Sequence, residues 1–333
     1  MLIILCEVNM QNVYVIGIDI SKKTFDACAM LNGKNKKNSF DNNSMGCEEL
    51  ISWIKEFGLT DPHICMESTG SYSEAVADFL YNSGYKVSVI NPLQVKSFRL
   101  SKMIRQKTDK SDCEVIAMFC LQNCPVLWSP KPRENKELYE VNARIDILKM
   151  ELNRLTNSLE KEIINKIVAN SINEEMQFIK NMIKKLEQEA LNIITNSQKL
   201  KRQYDILTEI KGIGTKTAMT ILADMPDVNR FKNAKQYAAF VGVTPSHFQS
   251  GTSVKGKSHI SRLGSRKVRK ALYMSAIVVK NHNNAFQAFV NRLINKGKAS
   301  KVIIVAIMRK LLHIFFGILK SNKSFNQNLA FHS

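Results

Sequence analysis

The stretch VYVIGIDISKKTFDACAML, residues 13–31, decides how the first part of this chain folds. It holds two runs rich in β-branched and other apolar residues, 13–20 and 24–31, with three residues between them. Runs of this length and composition predict β-strands, and the short separation predicts an antiparallel hairpin. Asp19 stands at the end of the first run, where the strand would carry its carboxylate to an edge of the sheet.

Strand and helix patterns alternate over the next ninety or so residues. Strands are predicted at 36–40, 63–66 and 86–90, and helices at 44–57, 73–83 and 111–122, with Ser44 as the first N-cap. Three early strands followed by helix, strand, helix, strand and helix are the order expected of an RNase H-like α/β domain. Pro125, Pro130 and Pro132 mark its end, so the domain is predicted to span residues 12–125.

A helical connector is predicted over residues 133–203, a stretch without glycine or proline. Apolar residues recur there at helical spacing, for example at Leu148, Leu152 and Leu155, with charged residues between them. The pattern predicts a long helical hairpin with a break near residues 169–172. A simple spacer and a dimerisation coiled coil both fit, because the heptads are irregular.

The last predicted domain covers residues 204–320 and is helical. Its helices are expected at 215–223, 233–241, 265–279, 285–295 and 299–319. Gly212-Ile213-Gly214 is similar to the turn of a helix-hairpin-helix element, where glycines let backbone amides approach a phosphate at a helix N-terminus. An ordinary packing joint between two helices gives the same pattern. The predicted fold class is therefore α/β plus all-α.

Positive charge is concentrated in the C-terminal part of the chain. The formal net charge is +19, from 48 Lys plus Arg and 29 Asp plus Glu. Residues 199–333 hold 24 of the basic side chains and only 4 of the acidic ones, and no acidic residue follows Asp227. Phosphate neutralisation with release of counterions favours nucleic acid as the partner of such a surface. An anionic membrane surface is the alternative.

Four carboxylates occupy positions that suit a metal site. Asp19 ends the first strand, Glu67 ends the short strand near residue 66, and Asp109 and Asp112 begin a helix. Strand ends and helix starts converge at one edge of an α/β sheet. Converging carboxylates repel one another without a cation, and hard oxygen ligands select Mg²⁺ or Mn²⁺. Each aspartate also has a simpler interpretation, as a turn former or a helix N-cap.

A series of short motifs resembles one family of insertion-sequence transposases, the DEDD type. The motifs are Gly17-Ile18-Asp19-Ile20-Ser21, Met66-Glu67-Ser68-Thr69-Gly70, Lys107-Thr108-Asp109-Lys110-Ser111-Asp112, Gly212-Ile213-Gly214, Phe240-Val241-Gly242-Val243-Thr244-Pro245 and Gln249-Ser250-Gly251. The family includes the pilin-gene invertases, and its N-terminal domain is similar to the RuvC Holliday-junction resolvase. The resemblance extends from about residue 13 to residue 320. Cys113 departs from the pattern, since the family usually has alanine there.

The resemblance implies a role for each matching residue. Asp19, Glu67, Asp109 and Asp112 would be the metal-binding carboxylates of a RuvC-like catalytic domain. Ser250 would be the nucleophile that attacks DNA and becomes covalently joined to it. A serine hydroxyl needs a metal or a base for activation. Because no carboxylate follows Asp227, a metal that activates Ser250 must be held by the first domain.

The resemblance also implies partners. Better-studied members of the family are guided by a structured bridge RNA, so a guide RNA and a homo-oligomer, dimer or tetramer, are expected beside DNA. The residues predicted to contact nucleic acid are Gly212, Gly214, Lys255, Lys257, Arg262, Arg266, Lys267, Arg269 and Lys270. A charge run of this kind is ordinarily a solvated face, but here no acidic residue lies near it in the sequence, which favours phosphate contact.

The sequence thus predicts a transposase or DNA recombinase that uses Mg²⁺ (or Mn²⁺) and a serine intermediate. One alternative is a metal-dependent junction nuclease in which water attacks, and another is a non-catalytic nucleic-acid-binding protein. Seven cysteines without a CxxC pair favour reduced thiols and a cytoplasmic location. The apolar stretch 302–319 contains Arg309, Lys310 and His313, which favours a buried helix over a membrane span.

Overall fold

A computed structural model describes residues 14–31, 34–59, 61–104, 109–160, 165–246, 249–250, 254–255, 259–261 and 263–326. The chain divides after Pro130 into two units, Met1–Pro130 and Lys131–Ser333. The division falls among the three prolines that mark the predicted boundary. The predicted connector and the basic domain lie together in the second unit.

Unit 1 is a five-stranded mixed sheet with helices on both faces. Its strands are β1 (Val15–Ile20), β2 (Thr24–Leu31), β3 (Lys34–Asp41), β4 (His63–Glu67) and β5 (Lys86–Ile90). They lie in the order β3-β2-β1-β4-β5, with β1, β2 and β3 antiparallel and β4 and β5 parallel to β1. The helices are α1 (Ser44–Glu56), α2 (Ser71–Asn82), α3 (Pro92–Ser101) and α4 (Asp109–Asn123). The predicted α/β class of this part is confirmed.

The central strand β1 sends alternate side chains into two separate cores. Ile16, Ile18 and Ile20 join a core that contains Leu50 of α1 and Leu80 of α2. Val15 joins the core on the other face, with residues of α4. Successive side chains of a strand point to opposite faces. Gly17 and Asp19, two and four residues after Val15, therefore lie on the face that α4 covers.

Two local predictions in unit 1 need correction. Asn43, not Ser44, caps α1, since its side chain accepts a hydrogen bond from the Gly46 amide. Helix α3 is absent from the sequence interpretation, although Asn91 caps it and Pro92 occupies its first turn. Proline at that position has no amide hydrogen to leave unsatisfied, so Asn91-Pro92 begins a helix here as well as ending a strand.

The expectation of reduced thiols is wrong for one pair of cysteines. Cys65 of β4 and Cys120 of α4 are joined as a disulfide, with their Cα atoms 5.9 Å apart. The pair is separated by 55 residues, so only the packing of α4 on β4 brings it together. The other described cysteines, Cys28, Cys47, Cys113 and Cys124, form no disulfide.

Unit 2 is built from eight α-helices among its described residues. They are α5 (Arg133–Leu159), α6 (Lys166–Asn196), α7 (Gln198–Thr208), α8 (Thr215–Asp224), α9 (Ala234–Val241), α10 (Arg266–His282), α11 (Gln287–Asn295) and α12 (Ser300–Ser321). Helices α5 and α6 form the predicted hairpin, packed through Leu148, Leu155 and Ile183. The break lies between residues 159 and 166 rather than at 169–172, because Asn165 caps α6.

Helix α12 runs through the core of unit 2. Ile307, Leu311 and Phe315 are fully buried there. By length and composition, α12 is the one helix of the described chain that is apolar enough to cross a membrane, yet half of its most apolar window is buried inside the protein. Such burial is typical of the core helix of a globular unit.

Unit 2 also contains four two-residue strands. The prediction that residues 204–320 are entirely helical is therefore wrong for this part of the chain. The strands are β6 (Pro245–Ser246), β7 (Gln249–Ser250), β8 (Val254–Lys255) and β9 (His259–Ile260). Strand β6 pairs with β9 and β7 with β8, both antiparallel. Strands of two residues are too short to show the alternation that reveals a strand in a sequence.

Gly17 fixes how closely α4 approaches the sheet. A Cβ atom at this position would lie 2.2 Å from the Cys113 carbonyl oxygen and 2.3 Å from the Ala117 nitrogen, both backbone atoms. Neither can move aside as a flexible side chain does, so α4 itself would have to shift.

We therefore expect Gly17→Ala to destabilise the protein by about 1–3 kcal/mol, the usual cost of overpacking a core. Urea unfolding followed by circular dichroism measures the change. Gly317→Ala in α12 is the matched control, since no atom lies within 4 Å of the added methyl group. That variant should be neutral or more stable, by up to about 1 kcal/mol. Equal stability of the two variants would contradict the close contact at Gly17.

Candidate active site

Asp19 and Glu67 lie on neighbouring parallel strands. The β1–β4 ladder pairs Gly17 with Cys65 and Ile18 with Met66, and the two carboxylates follow this last pair by one residue on each strand. Residues level with each other on adjacent strands point to the same face of a sheet. Both carboxylates therefore lie on the α4 face, and both are partly buried.

Helix α4, on which the other two predicted metal ligands lie, packs against the same face. It packs on β1, β2 and β4, and Asp109 and Asp112 lie in its first turn. Of Asp109 only the backbone belongs to the described part of the chain. The ends of β1 and β4 and the start of α4 therefore lie on this side of the sheet, as the sequence predicts.

The carboxylate of Asp112 is paired with an arginine. Arg99 of α3 donates from Nη2 to Asp112 Oδ1 at 2.5 Å, and Ser111 Oγ donates to the same oxygen at 3.2 Å. The side chains of Arg99 and Asp112 are only 15% and 16% exposed. The ion pair therefore neutralises Asp112 in a partly buried setting. Arg99 is a site residue that sequence reasoning missed, because it lies on the missed helix α3.

No three of the described carboxylates have oxygen atoms that all lie within 4.8 Å of one another. Among the described His, Cys, Asp and Glu side chains, the one group of three with ligand atoms within 4.8 Å of one another is His63, Cys65 and Cys120. The two sulfur atoms of that group are bonded to each other, so they are not two thiolate ligands.

Cys113 follows Asp112 and faces the sheet. It is buried beside Cys28 of β2, and the hydrogen bond between the two thiols, together with burial, raises the pKa of Cys113. A thiol held in its neutral form behaves as a small apolar group. The departure from alanine at this position is accommodated by the packing of α4 on β2.

Ser250 lies on the short strand β7, opposite Val254 of β8. Residues 251–253 are outside the described residues, as are the side chain of Ser250, Lys257 and Arg262. Lys255 is placed on β8 by its backbone alone. The structure therefore puts the predicted nucleophile on a short antiparallel strand, and its role stays a prediction.

The basic residues of α10 differ in their surroundings. Arg269 Nη1 donates to the carbonyl oxygens of Val241 and Gly264, at 2.8 and 3.0 Å. These bonds tie the start of α10 to the end of α9. Lys267 lies 3.8 Å from Asp146 of α5 and over the ring of Tyr139. Arg266 and Lys270 are exposed.

The two glycines before α8 also differ. Gly212 has φ +105°, and a Cβ atom there would lie 2.6 Å from Val279 of α10. This close approach supports the packing-joint interpretation for Gly212. Among the described residues beyond its chain neighbours, no atom lies within 4 Å of a Cβ added at Gly214, and this glycine is the N-cap of α8, with no side chain capping the helix. An anion has room to approach at Gly214.

Comparison with known proteins gives the class of this protein. A family model described as "Transposase", of the DEDD type of IS110 elements, matches residues 16–169. A second one, the IS116/IS110/IS902 transposase family, matches residues 204–291. Both matches are to transposases, which are enzymes that recombine DNA. In this protein, the transposase consists of a mixed sheet with acidic strand ends and a strongly basic helical unit.

Relatives at full length define the family. The chain is 33% identical over 317 residues to the pilin gene-inverting proteins of Moraxella bovis and of Moraxella lacunata, covering 94% of this chain and 98% of theirs. It is 27% identical over 124 residues, 37% of this chain and 30% of the relative, to an uncharacterised 43.6 kDa protein of insertion element IS110 from Streptomyces coelicolor. The chain belongs to the IS110 family of DEDD-type transposases and invertases, and the predicted family is confirmed.

Proposed function

We propose that this transposase cuts and rejoins DNA with a divalent cation, Mg²⁺ or Mn²⁺, held by Asp19, Glu67, Asp109 and Asp112. The observation that carries the proposal is the position of Asp19 and Glu67 at the ends of two parallel strands, on the face where α4 begins. The strand order β3-β2-β1-β4-β5 supports an RNase H-like, RuvC-like fold for this unit.

The donor set fits a hard divalent cation. All four ligands offer carboxylate oxygens, which Mg²⁺ and Mn²⁺ prefer. Converging carboxylates repel one another unless a cation is bound between them. Of the four, Asp112 has its charge offset by Arg99. When bound, the cation would polarise the phosphodiester and stabilise the charge that develops on the leaving oxygen. Arg99 then either shares Asp112 with the cation or turns away from it.

Ser250 is the proposed nucleophile. Its hydroxyl loses a proton, Oγ forms a bond to phosphorus, and the bond from phosphorus to one sugar oxygen breaks. That oxygen takes up a proton and leaves as a free DNA end, while the other end stays joined to the protein. A phosphoserine diester keeps the energy of the broken bond, so a second DNA hydroxyl can rejoin the strand by the reverse step. A cation that assists Ser250 would be held by the four carboxylates of unit 1.

DNA is the partner that transposase activity requires. The charge of +20 on residues 199–333 supports a nucleic-acid-binding role for the predicted residues, in which Arg266, Lys270 and Gly214 have the most open surroundings. Exposed apolar side chains on α6, among them Ile167 and Phe178, support a homo-oligomer formed through the α5–α6 hairpin. We place the protein in the cytoplasm, where its DNA substrate lies.

The proposal includes a structured guide RNA. We expect the protein, purified under mild conditions, to carry one specific RNA, and we expect its sequence-specific DNA cleavage to require that RNA. This expectation rests on the resemblance to family members that are guided by a structured RNA, together with the large positive charge that no acidic residue after Asp227 offsets.

Sequencing of the RNA that co-purifies, followed by nuclease treatment and add-back, tests this expectation. Cleavage should fall on RNA removal and return when the same RNA is restored. A scrambled RNA of equal length is the control for simple charge neutralisation. Full specific cleavage by RNA-free protein would refute the guide and leave the transposase reaction in place.

A further inference from the structure

A cleft in unit 2 combines free positive charge with exposed apolar surface. It has a volume of about 380 Å³ and lies between α5, α8 and α10. The basic residues that line it are Lys149, Lys216, Arg266, Lys267 and Lys270, and Met150 and Met274 supply its apolar part. We propose that this α5–α8–α10 cleft binds one unpaired nucleotide strand, with phosphates against Lys216, Arg266 and Lys270 and a base against the two methionines. The inference rests on the proposed nucleic-acid-binding function and specifies the form of nucleic acid bound.

Three of the five cations have no partner within the described chain. Lys149 is paired with Glu187 at 2.6 Å, and Lys267 lies near Asp146. No carboxylate among the described residues forms an ion pair with Lys216, Arg266 or Lys270. Clustered cations repel one another unless an anion is bound between them. Asp146 is the one carboxylate among the lining residues, so five cations face one anion and the cleft carries an excess of positive charge.

Lys216 lies within this excess of positive charge. Its side chain is exposed, and partial desolvation beside its neighbours lowers its pKa. Lys149 and Lys270 lower the pKa further, while Asp146 and Glu187 act in the opposite direction. A bound phosphate supplies the charge that would stabilise the protonated amine. Lys216 lies two residues after Gly214, where the structure leaves open space for an approaching anion.

The apolar side chains distinguish a nucleotide from a simple anion. Met150 is 62% exposed and Met274 is 61% exposed, although both line the cleft. A free inorganic anion would contact only the basic side chains, and the two methionine side chains would stay exposed to water. The polarisable sulfur of methionine makes favourable contacts with flat aromatic rings, and every nucleobase offers such a ring.

The concave shape favours an unpaired strand over a duplex. In a duplex the bases are stacked inside, so they cannot reach an apolar wall unless they are turned out. An unpaired strand offers its phosphates and its bases to one groove together. The volume of the cleft falls near the lower end of the range for ligand pockets, about 300–1,000 Å³, which suits one or two nucleotides at a time.

The cleft gives α5 a binding role as well as a connecting one. Lys149 and Met150 of α5 lie opposite Lys270 and Met274 of α10, with Lys216 of α8 beside them. A strand held there would contact the connector and the basic domain together.

The test compares binding of the full chain to a single strand and to the matching duplex. Fluorescence anisotropy is measured with labelled DNA and RNA oligonucleotides of about 15 nucleotides, over a range of salt concentrations. Lys216→Gln combined with Lys270→Gln should weaken single-strand binding about tenfold at about 0.1 M salt, and flatten the slope against log salt by about 1.4, two contacts at 0.7 each. Met274→Ala should weaken single-strand binding without changing the slope.

Lys235→Gln combined with Lys301→Gln is the matched control. Both lysines are exposed in unit 2, neither lines the cleft, and the charge change is the same. The proposal is overturned if this control weakens single-strand binding as much as the cleft variant, or if duplex binding falls as steeply as single-strand binding. An unchanged affinity for Met274→Ala would overturn base contact and reduce the cleft to an anion site. Absence of nucleic-acid binding by the unaltered chain would instead refute the proposed function itself.

Discussion

Asp19→Asn or Glu67→Gln will reduce DNA strand cleavage by at least about a hundredfold, since a lost metal ligand removes several kcal/mol of transition-state stabilisation. Asp109→Asn and Asp112→Asn are expected to do the same. Each change removes the charge of one carboxylate and keeps nearly its shape. Nucleic-acid affinity should remain almost unchanged, because the residues predicted to bind nucleic acid all lie in unit 2. The measurements are cleavage of a labelled DNA substrate and, separately, its binding.

Glu114→Gln is the control for loss of charge near the site. Glu114 lies on α4 two residues after Asp112, but it is engaged with Lys37 of β3 at 2.5 Å and with Asn35. It should keep most of the activity. Chelation of divalent cations should reproduce the loss in the unaltered protein, and added Mg²⁺ should reverse it. Near-normal cleavage by two of the four carboxylate variants would show that this set does not hold the metal.

Asp112→Asn needs a stability measurement beside the activity measurement. Its partner Arg99 is largely buried, and removal of one member of a buried ion pair leaves the other charge uncompensated. Some of the activity lost in this variant would then come from a displaced α3. Asp19→Asn leaves the carboxylate of Asp112 in place, so comparison of activity and stability for the two variants separates metal binding from packing.

The sequence was sufficient to predict the strands that carry the site. The composition of the apolar runs in β1 and β4 identifies both as strands, and the chain order places Asp19 and Glu67 at their ends. The residues around the site were harder to predict. Arg99 approaches Asp112 only because α3 packs on α4, and no spacing rule relates residue 99 to residue 112. The pair Asn91-Pro92 indicates the start of helix α3, but the same pair is also typical of the end of a strand.

Contacts between distant parts of the chain escaped prediction for the same reason. The α5–α8–α10 cleft joins residues near 149, 216 and 270, which no local pattern connects. The disulfide between Cys65 and Cys120 likewise depends on how α4 crosses β4. The run from Arg266 to Lys270 looked uniform in the sequence, yet Arg269 holds two carbonyl groups while Lys270 lines the cleft. Position on the helix face, rather than charge, separates these residues.

Ser250→Ala will abolish covalent attachment of the protein to DNA while nucleic-acid binding is retained. The change removes one hydroxyl oxygen, and with it the atom that would bond to phosphorus. Denaturing electrophoresis of the reaction with labelled DNA detects the adduct, and mass spectrometry of the DNA-linked peptide locates the residue. Ser246→Ala is the matched control, since Ser246 lies four residues earlier on the neighbouring short strand β6.

The same variant separates the serine reaction from hydrolysis by water. A junction nuclease in which water attacks would still cut DNA after Ser250→Ala, whereas the serine enzyme would not. Mixing Ser250→Ala with Asp19→Asn protein should restore part of the activity if each site takes its serine from one subunit and its carboxylates from another. The sequence motivates that test, because all four carboxylates precede residue 113 and the serine lies beyond the α5–α6 hairpin. A DNA-linked peptide that maps to any residue other than Ser250 would overturn the assignment, and an inactive mixture of confirmed hetero-oligomers would show that each subunit supplies both.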